Sequence, residues 1–218
     1  MLELLFGTSN AGKLRELRRL VAGVPVRVVS PEDLGRPLPE VVEDGATFAA
    51  NARKKAAEHA RATGLHALAD DSGLCVDALY GLPGIRSARW SDEPGRETAG
   101  AARDAANNDK LLRALEGVEP EIRGAEYKAV LALAAPDGSI LATVTGTCRG
   151  RIAQEPRGTG GFGYDPLFIP EAELERAGPG RSPRTMAEIG PEEKDAISHR
   201  GDAFRQILPV LRDLAATL

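Results

Sequence analysis

Residues 127–153, YKAVLALAAPDGSILATVTGTCRGRIA, limit the fold more than any other stretch. Two long apolar, β-branched runs flank Asp137-Gly138, a pairing that reads as a β-hairpin. Ahead of it, shorter strands alternate with helices. LELLF (2–6) reads as a buried strand, and residues 7–23 as a turn and a helix. Leu14, Leu17, Leu20 and Val21 recur there at helical spacing, and Gly23 suits the stop. VRVV (26–29) is a second strand, followed by a Pro-rich connection. Thr47 is a good N-cap for an Ala-rich helix that Gly64 would close. HALADDSGLCVDAL (66–79) begins as a strand and is expected to break at its acidic pair. GLPGIRSARW (81–90) reads as a loop, 98–118 as a helix and 154–166 as a Gly-rich loop. Residues 170–185 are rich in Pro, Gly and Arg and read as an exposed excursion. From Glu192 the chain reads as helix to the C-terminus, interrupted or bent near Pro209. A long hairpin among strand–helix units predicts an α/β fold on a mixed sheet rather than a purely parallel one.

Composition narrows the function. No apolar run reaches 18 residues, so no membrane span is expected, and no secretory signal is visible at the N-terminus. Cys75 and Cys148 lie far apart without metal-ligand spacing, as in a cytosolic protein with free thiols. A net charge of −4 with no long basic run argues against a nucleic-acid partner. It leaves room for a polyanionic small substrate, because local basic groups and a metal can outweigh a mildly acidic average. Only six residues are lysines, and Lys13, Lys55 and Lys194 each fall inside a motif.

The first motif is FGTSNAGKL (6–14). Gly7, Gly12 and Lys13 nearly make a phosphate-binding P-loop, but the hydroxyl residue that should follow the lysine is Leu14. A strand, a turn and a helix N-terminus carrying Lys13 still make an anion site. A metal at such a site would need ligands from elsewhere in the chain. Thr8, Ser9 and Asn10 offer polar groups, or simply turn and cap residues. Asp70 and Asp71 are costly to bury unpaired, so they are solvated, cap a turn or face a cation. On a strand they point to opposite faces, so one of them serves a given site. Glu43 and Asp44 precede the helix that begins near Thr47, and Asn51 and Lys55 share a face of it. In the second half, GTGGFGYDPLF (158–168) permits close backbone approach, with Phe162 and Tyr164 as stacking faces and Asp165 as an acceptor. EEKDAISHRGDAF (192–204) adds Lys194, His199 and Arg200.

Six segments in order resemble the inosine/xanthosine triphosphate pyrophosphatases: TSNAGK (8–13), Glu43 through Lys55, ADDSGLCVDAL (69–79), GLPGIRSAR (81–89), GFGYDPLF (161–168) and EEKDAISHRGDA (192–203). The resemblance implies one pyrophosphatase domain over 1–218, built as an elongated mixed sheet flanked by helices in two lobes with a cleft between them. It implies a cytoplasmic homodimer that cleaves deaminated purine nucleoside triphosphates to the monophosphate and pyrophosphate. It gives Thr8, Ser9, Asn10, Ala11, Gly12, Lys13 and Lys55 to the triphosphate, and Glu43 and Asp71 to Mg²⁺. Asp71 is also the implied base for the attacking water, and Ser72 a substrate contact. Phe162, Gly163, Tyr164, Asp165, Lys194, His199 and Arg200 resemble the base pocket. Donors from Arg200 or main-chain N–H groups would favour a 6-oxo purine over adenine, whose 6-amino group is itself a donor. The sequence departs from the family in a longer stretch at 170–184 and in Tyr164, where some members carry Trp.

Overall fold

The computed structural model describes residues 1–8, 10–92 and 98–217. Six strands form one sheet in the order β2-β1-β3-β4-β5-β6: β1 Leu2–Phe6, β2 Val26–Val29, β3 His66–Val76, β4 Gly124–Ala134, β5 Ile140–Ile152 and β6 Phe168–Pro170. β1 runs parallel to both β2 and β3, whereas β5 and β6 pair antiparallel, so the sheet is mixed. The hairpin turn is where its Asp-Gly pair predicts, with Gly138 at φ 85° and the Ala135 N–H donating to the Ser139 carbonyl. Among the described residues, no helix is long and apolar enough to cross a membrane.

The chain separates into two compact units. The first comprises Met1–Asp71, Ala129–Gly146 and the chain from Arg200 onward; the second comprises Ser72–Lys128 and Thr147–His199. In the first unit, alternate residues of the strands feed two separate cores. Leu4, Phe6, Leu68, Leu131 and Leu133 face Leu17 of helix α1 (Ala11–Leu20) and Phe204, Ile207 and Leu211 of helix α6 (His199–Thr217). Leu5, Ala67, Ala69, Val130 and Ala132 face Ala52, Ala56 and Ala60 of helix α2 (Phe48–Thr63). The three alanines recur every fourth residue, so one bare stripe of α2 lies close on the sheet. Thr47 caps this helix by accepting from the Ala50 N–H, and Gly64 closes it at φ 72°. In the second unit, Leu74, Val76, Tyr127, Ile152, Tyr164 and Phe168 pack with Leu111 and Leu115, at the end of helix α3 (Gly100–Ala114) and just beyond it.

Four expectations need correction. β3 does not break at the acidic pair but continues to Val76, because cationic side chains meet the two carboxylates from opposite faces. The stretch 81–90 is not simply a loop, since Gly84–Arg89 forms a 3-10 helix that buries Ser87. The C-terminal region breaks at Ser198, which is extended, between helix α5 (Pro191–Ile197) and α6; Pro209 lies inside α6.

The fourth concerns 170–185, which is pinned rather than wholly exposed. Glu173 of helix α4 (Glu171–Arg176) is fully buried and accepts from the Arg184 N–H, Nε and Nη2, at 3.2, 3.0 and 2.7 Å. Arg184 reaches on to Glu193 of α5 at 2.7 Å. These bonds pull the Glu173 carboxyl down to about 2 from an ordinary 4.5. A depressed folded-state value gives stability that is complete above about pH 4.5 and lost as the pH falls through about 2. Arg184→Met should therefore lose stability at neutral pH, near the low end of the roughly 3–5 kcal/mol for breaking a buried pair, since Arg184 is partly exposed. It should also flatten the acid decline, and urea midpoints between pH 2 and 7 check both effects.

Candidate active site

In the first unit, the Asp70-Asp71 pair organises two charge clusters on opposite faces of β3. Asp70 shares the α1 and α6 face. Its Oδ2 lies 2.9 Å from Lys13 Nζ and 3.1 Å from Arg200 Nε, and Arg200 Nη1 lies 3.0 Å from Glu16 Oε2. Glu16, Asp70 and Arg200 are all buried. Burial pushes the Asp70 carboxyl up, but the charges of Lys13 and Arg200 outweigh it and hold the group well below the usual carboxylate range.

Asp71 shares the α2 face. Lys55 Nζ lies 3.1 Å from Asp71 Oδ1 and 3.0 Å from Glu43 Oε1, and it donates to the Asp70 carbonyl at 3.0 Å. Asn51, one turn earlier on α2, donates to Asp71 Oδ2 at 3.2 Å and accepts from the Gly45 N–H at 2.8 Å. One amide thus ties the 43–45 segment to the aspartate. Burial raises the Asp71 carboxyl above its ordinary value against the pull of Lys55, which makes it the more basic of the pair. Two carboxylates and a carbonyl converge on one ammonium, so their oxygens already define a point that attracts positive charge. That hard-oxygen donor set fits Mg²⁺, which takes one or two carboxylates and completes its shell from substrate phosphates and water.

The P-loop question is settled by packing. Leu14 lies against the core that Leu17 and Phe204 help to form, so the position after Lys13 is a core position. Asn10 caps α1 by accepting from the Lys13 N–H at 3.1 Å, and Thr8 Oγ1 accepts from the Asn10 N–H at 3.1 Å. Ala11 and Gly12 form the first turn of the helix. Ser9 lies outside the described residues.

Gly7 is a close-approach glycine: a Cβ there would run into the imidazole of His59, which is buried on α2. Gly7→Ala should cost about 1–3 kcal/mol, as overpacking does. Adding His59→Ala should remove most of that penalty, and a double-mutant cycle by chemical unfolding checks it.

The second unit assembles the other candidates. Asp165 Oδ2 accepts from the Phe162 N–H at 2.9 Å and from Lys194 Nζ at 2.7 Å. The same ammonium lies 5.0 Å from the centre of the Phe162 ring. Tyr164 is buried and donates its hydroxyl to the Ser87 carbonyl at 2.9 Å, so here it anchors the loop. Burial raises its phenol above the ordinary value. His199 stacks on Tyr127, with centroids 4.5 Å apart and planes 5° from parallel. Ser72 sits on β3, immediately after the acidic pair.

Three clusters take in the charged candidates, Lys13 with Asp70 and Arg200, Lys55 with Glu43 and Asp71, and Asp165 and Lys194 with Phe162, whereas Tyr164 bonds to Ser87 and His199 stacks on Tyr127. Glu16 was missed, although the sequence carried a signal. It lies three residues after Lys13 and beside Leu17, a charge on an apolar helix face. Helical spacing places Asn51 on the Lys55 face, and only the fold adds its bonds to Asp71 and Gly45.

The Ham1 family model matches residues 4–210. A dITP/XTP pyrophosphatase of Anaeromyxobacter dehalogenans is 64% identical, with 98% of this chain and 99% of the relative covered. One of Streptomyces coelicolor is 48% identical, with 98% and 99% covered. A HAM1 protein from Coxiella burnetii superimposes with a TM-score of 0.80 at 38% identity, covering 98% of this chain and all of that one.

Proposed function

The chain belongs to the Ham1 family, and on that footing we propose that it hydrolyses non-standard purine nucleoside triphosphates, ITP, dITP, XTP and dXTP, to the monophosphate and pyrophosphate. The observation that carries this reading is the convergence of Glu43 and Asp71 on the Lys55 ammonium. The names of the relatives supply the substrate class. In this reading Glu43 and Asp71 hold Mg²⁺, and the metal, once bound, offsets phosphate charge. Asp71 takes the proton of the water that attacks the α-phosphorus. Asn51 holds Asp71 in orientation through its Oδ2. Lys55 and Lys13 stabilise the charge that gathers on the departing pyrophosphate, and the partial positive charge at the N-terminus of α1 adds to theirs. Phe162 stacks on the base while Asp165 and Lys194 meet its polar edge.

Product analysis tests the reading. ITP, XTP, GTP and ATP are each supplied with and without Mg²⁺, and pyrophosphate and orthophosphate are assayed separately. The expected result is pyrophosphate with IMP or XMP, dependent on Mg²⁺ and much faster than from GTP or ATP. Orthophosphate as the first product would overturn it. The same reading carries a cytoplasmic homodimer, which sedimentation equilibrium would register as twice the chain mass.

A further inference from the structure

Resting on the assignment of the base to the 162–165 loop, we propose that Asp104 and Asn108 of α3 are positioning residues for the purine base. They lie four residues apart and so share one helix face. Both reach the same residue of the loop. Asp104 Oδ2 accepts from the Gly163 N–H at 2.8 Å, and Asn108 Nδ2 donates to the Gly163 carbonyl at 3.0 Å. One turn of helix thus holds both peptide groups of a single glycine. Gly163 sits at φ 65°, where a side chain would be strained. Its neighbours are the residues that would meet the base. Phe162 and Asp165 are joined through the Phe162 N–H, and Lys194 closes on both. Fixing the Gly163 peptide therefore fixes where the Phe162 ring and the Asp165 carboxylate stand.

Two consequences follow. With its N–H and its carbonyl both engaged by α3, Gly163 has no main-chain donor to offer the base. Discrimination then falls on side chains such as Asp165 and Lys194. The second consequence concerns Asn108 itself, which is buried while its Oδ1 has no hydrogen-bond partner among the described residues. A buried, unsatisfied acceptor burdens the fold, and an apolar side chain of similar size would not carry it. What the amide secures is its bond to the loop. The adjacent Asn107 differs. Its Nδ2 donates to the Ser87 and Ala88 carbonyls at 3.2 and 3.3 Å, and its Oδ1 accepts from the Ser91 N–H at 2.8 Å. Asn107 is satisfied at both ends and serves the fold, whereas Asn108 serves the loop.

The test compares Asn108→Leu, Asn107→Leu, Asp104→Ala, Asp104→Asn and Phe162→Ala in steady-state ITP hydrolysis and thermal unfolding. Asn108→Leu is expected to raise the KM for ITP roughly tenfold, the size of one such hydrogen bond. Its kcat should stay within about twofold and its midpoint within about 4 °C of the parent. Asp104→Ala should raise KM likewise, and Asp104→Asn, which keeps an acceptor for the Gly163 N–H, should restore it. Asn107→Leu should instead lower the thermal midpoint.

An unchanged KM in both Asn108→Leu and Asp104→Ala would overturn the proposal. So would a joint fall of kcat and midpoint in those variants, matching Asn107→Leu. If Asn108→Leu does not fold, the Asp104 pair decides. Phe162→Ala separates the two levels. An unaltered KM there removes the base assignment itself, while a raised KM beside silent Asp104 and Asn108 variants removes only the positioning role.

Discussion

Asp71→Asn is expected to lower kcat for ITP by roughly 10²–10⁴-fold, the range for losing a positioned general base, while the protein stays folded. The substitution preserves size and leaves a carbonyl oxygen to accept from Lys55, 3.1 Å away in the parent. Lys55 also keeps Glu43 and the Asp70 carbonyl as partners, so its charge remains compensated. What disappears is the negative charge and the basic lone pair. An aspartate that served only to neutralise Lys55 would show the opposite pattern, with a small loss of stability and a kcat near the parent's. Single-turnover rates of pyrophosphate release, read beside a thermal melt, separate the two outcomes.

The second large effect is expected at Arg200. Its guanidinium bonds to Asp70 at 3.1 Å and to Glu16 at 3.0 Å, and all three side chains are buried. Arg200→Met removes the cation and keeps most of the volume, leaving Glu16 without this partner and Asp70 with less compensation. Breaking a buried charge set this way costs roughly 3–5 kcal/mol, which urea unfolding would register directly. The resemblance that placed Arg200 in the base pocket predicts a different loss, in the preference for ITP over ATP. A variant that is destabilised yet keeps its ITP/ATP ratio would assign Arg200 to holding Asp70, and through it Lys13, in place. A collapsed ratio with little change in stability would assign it to the base.

Much of this was legible because it rests on local periodicity. The alternation along β3 sends Asp70 and Asp71 to opposite faces, and the structure has them there, one toward α1 and α6 and the other toward α2. Thr47 and Gly64 bounded α2 because capping is a property of single residues. The expectation that β3 would stop at its acidic pair failed for a non-local reason. The cost of burying two carboxylates is offset by Lys13, Arg200 and Lys55, the second of them some 130 residues away in the chain. Composition likewise suggested an exposed 170–185, because a Pro-, Gly- and Arg-rich stretch carries no sign that Glu173 and Arg184 will meet. The break at Ser198 was hidden in the same way, while Pro209 looked the more disruptive residue and is accommodated within α6.

The amino-acid sequence by itself determined the mixed α/β architecture, the near-P-loop turn ahead of α1 and the family, since these follow from periodicity, capping and motifs read in order. Only the tertiary structure decided which charges meet. It joined Lys55 to Glu43 and Asp71, committed Arg200 to Asp70 and Glu16, and brought α3 onto Gly163. Pairing energies between groups distant in the chain depend on burial and on distances of a few ångströms, and neither is written in the spacing of residues along it.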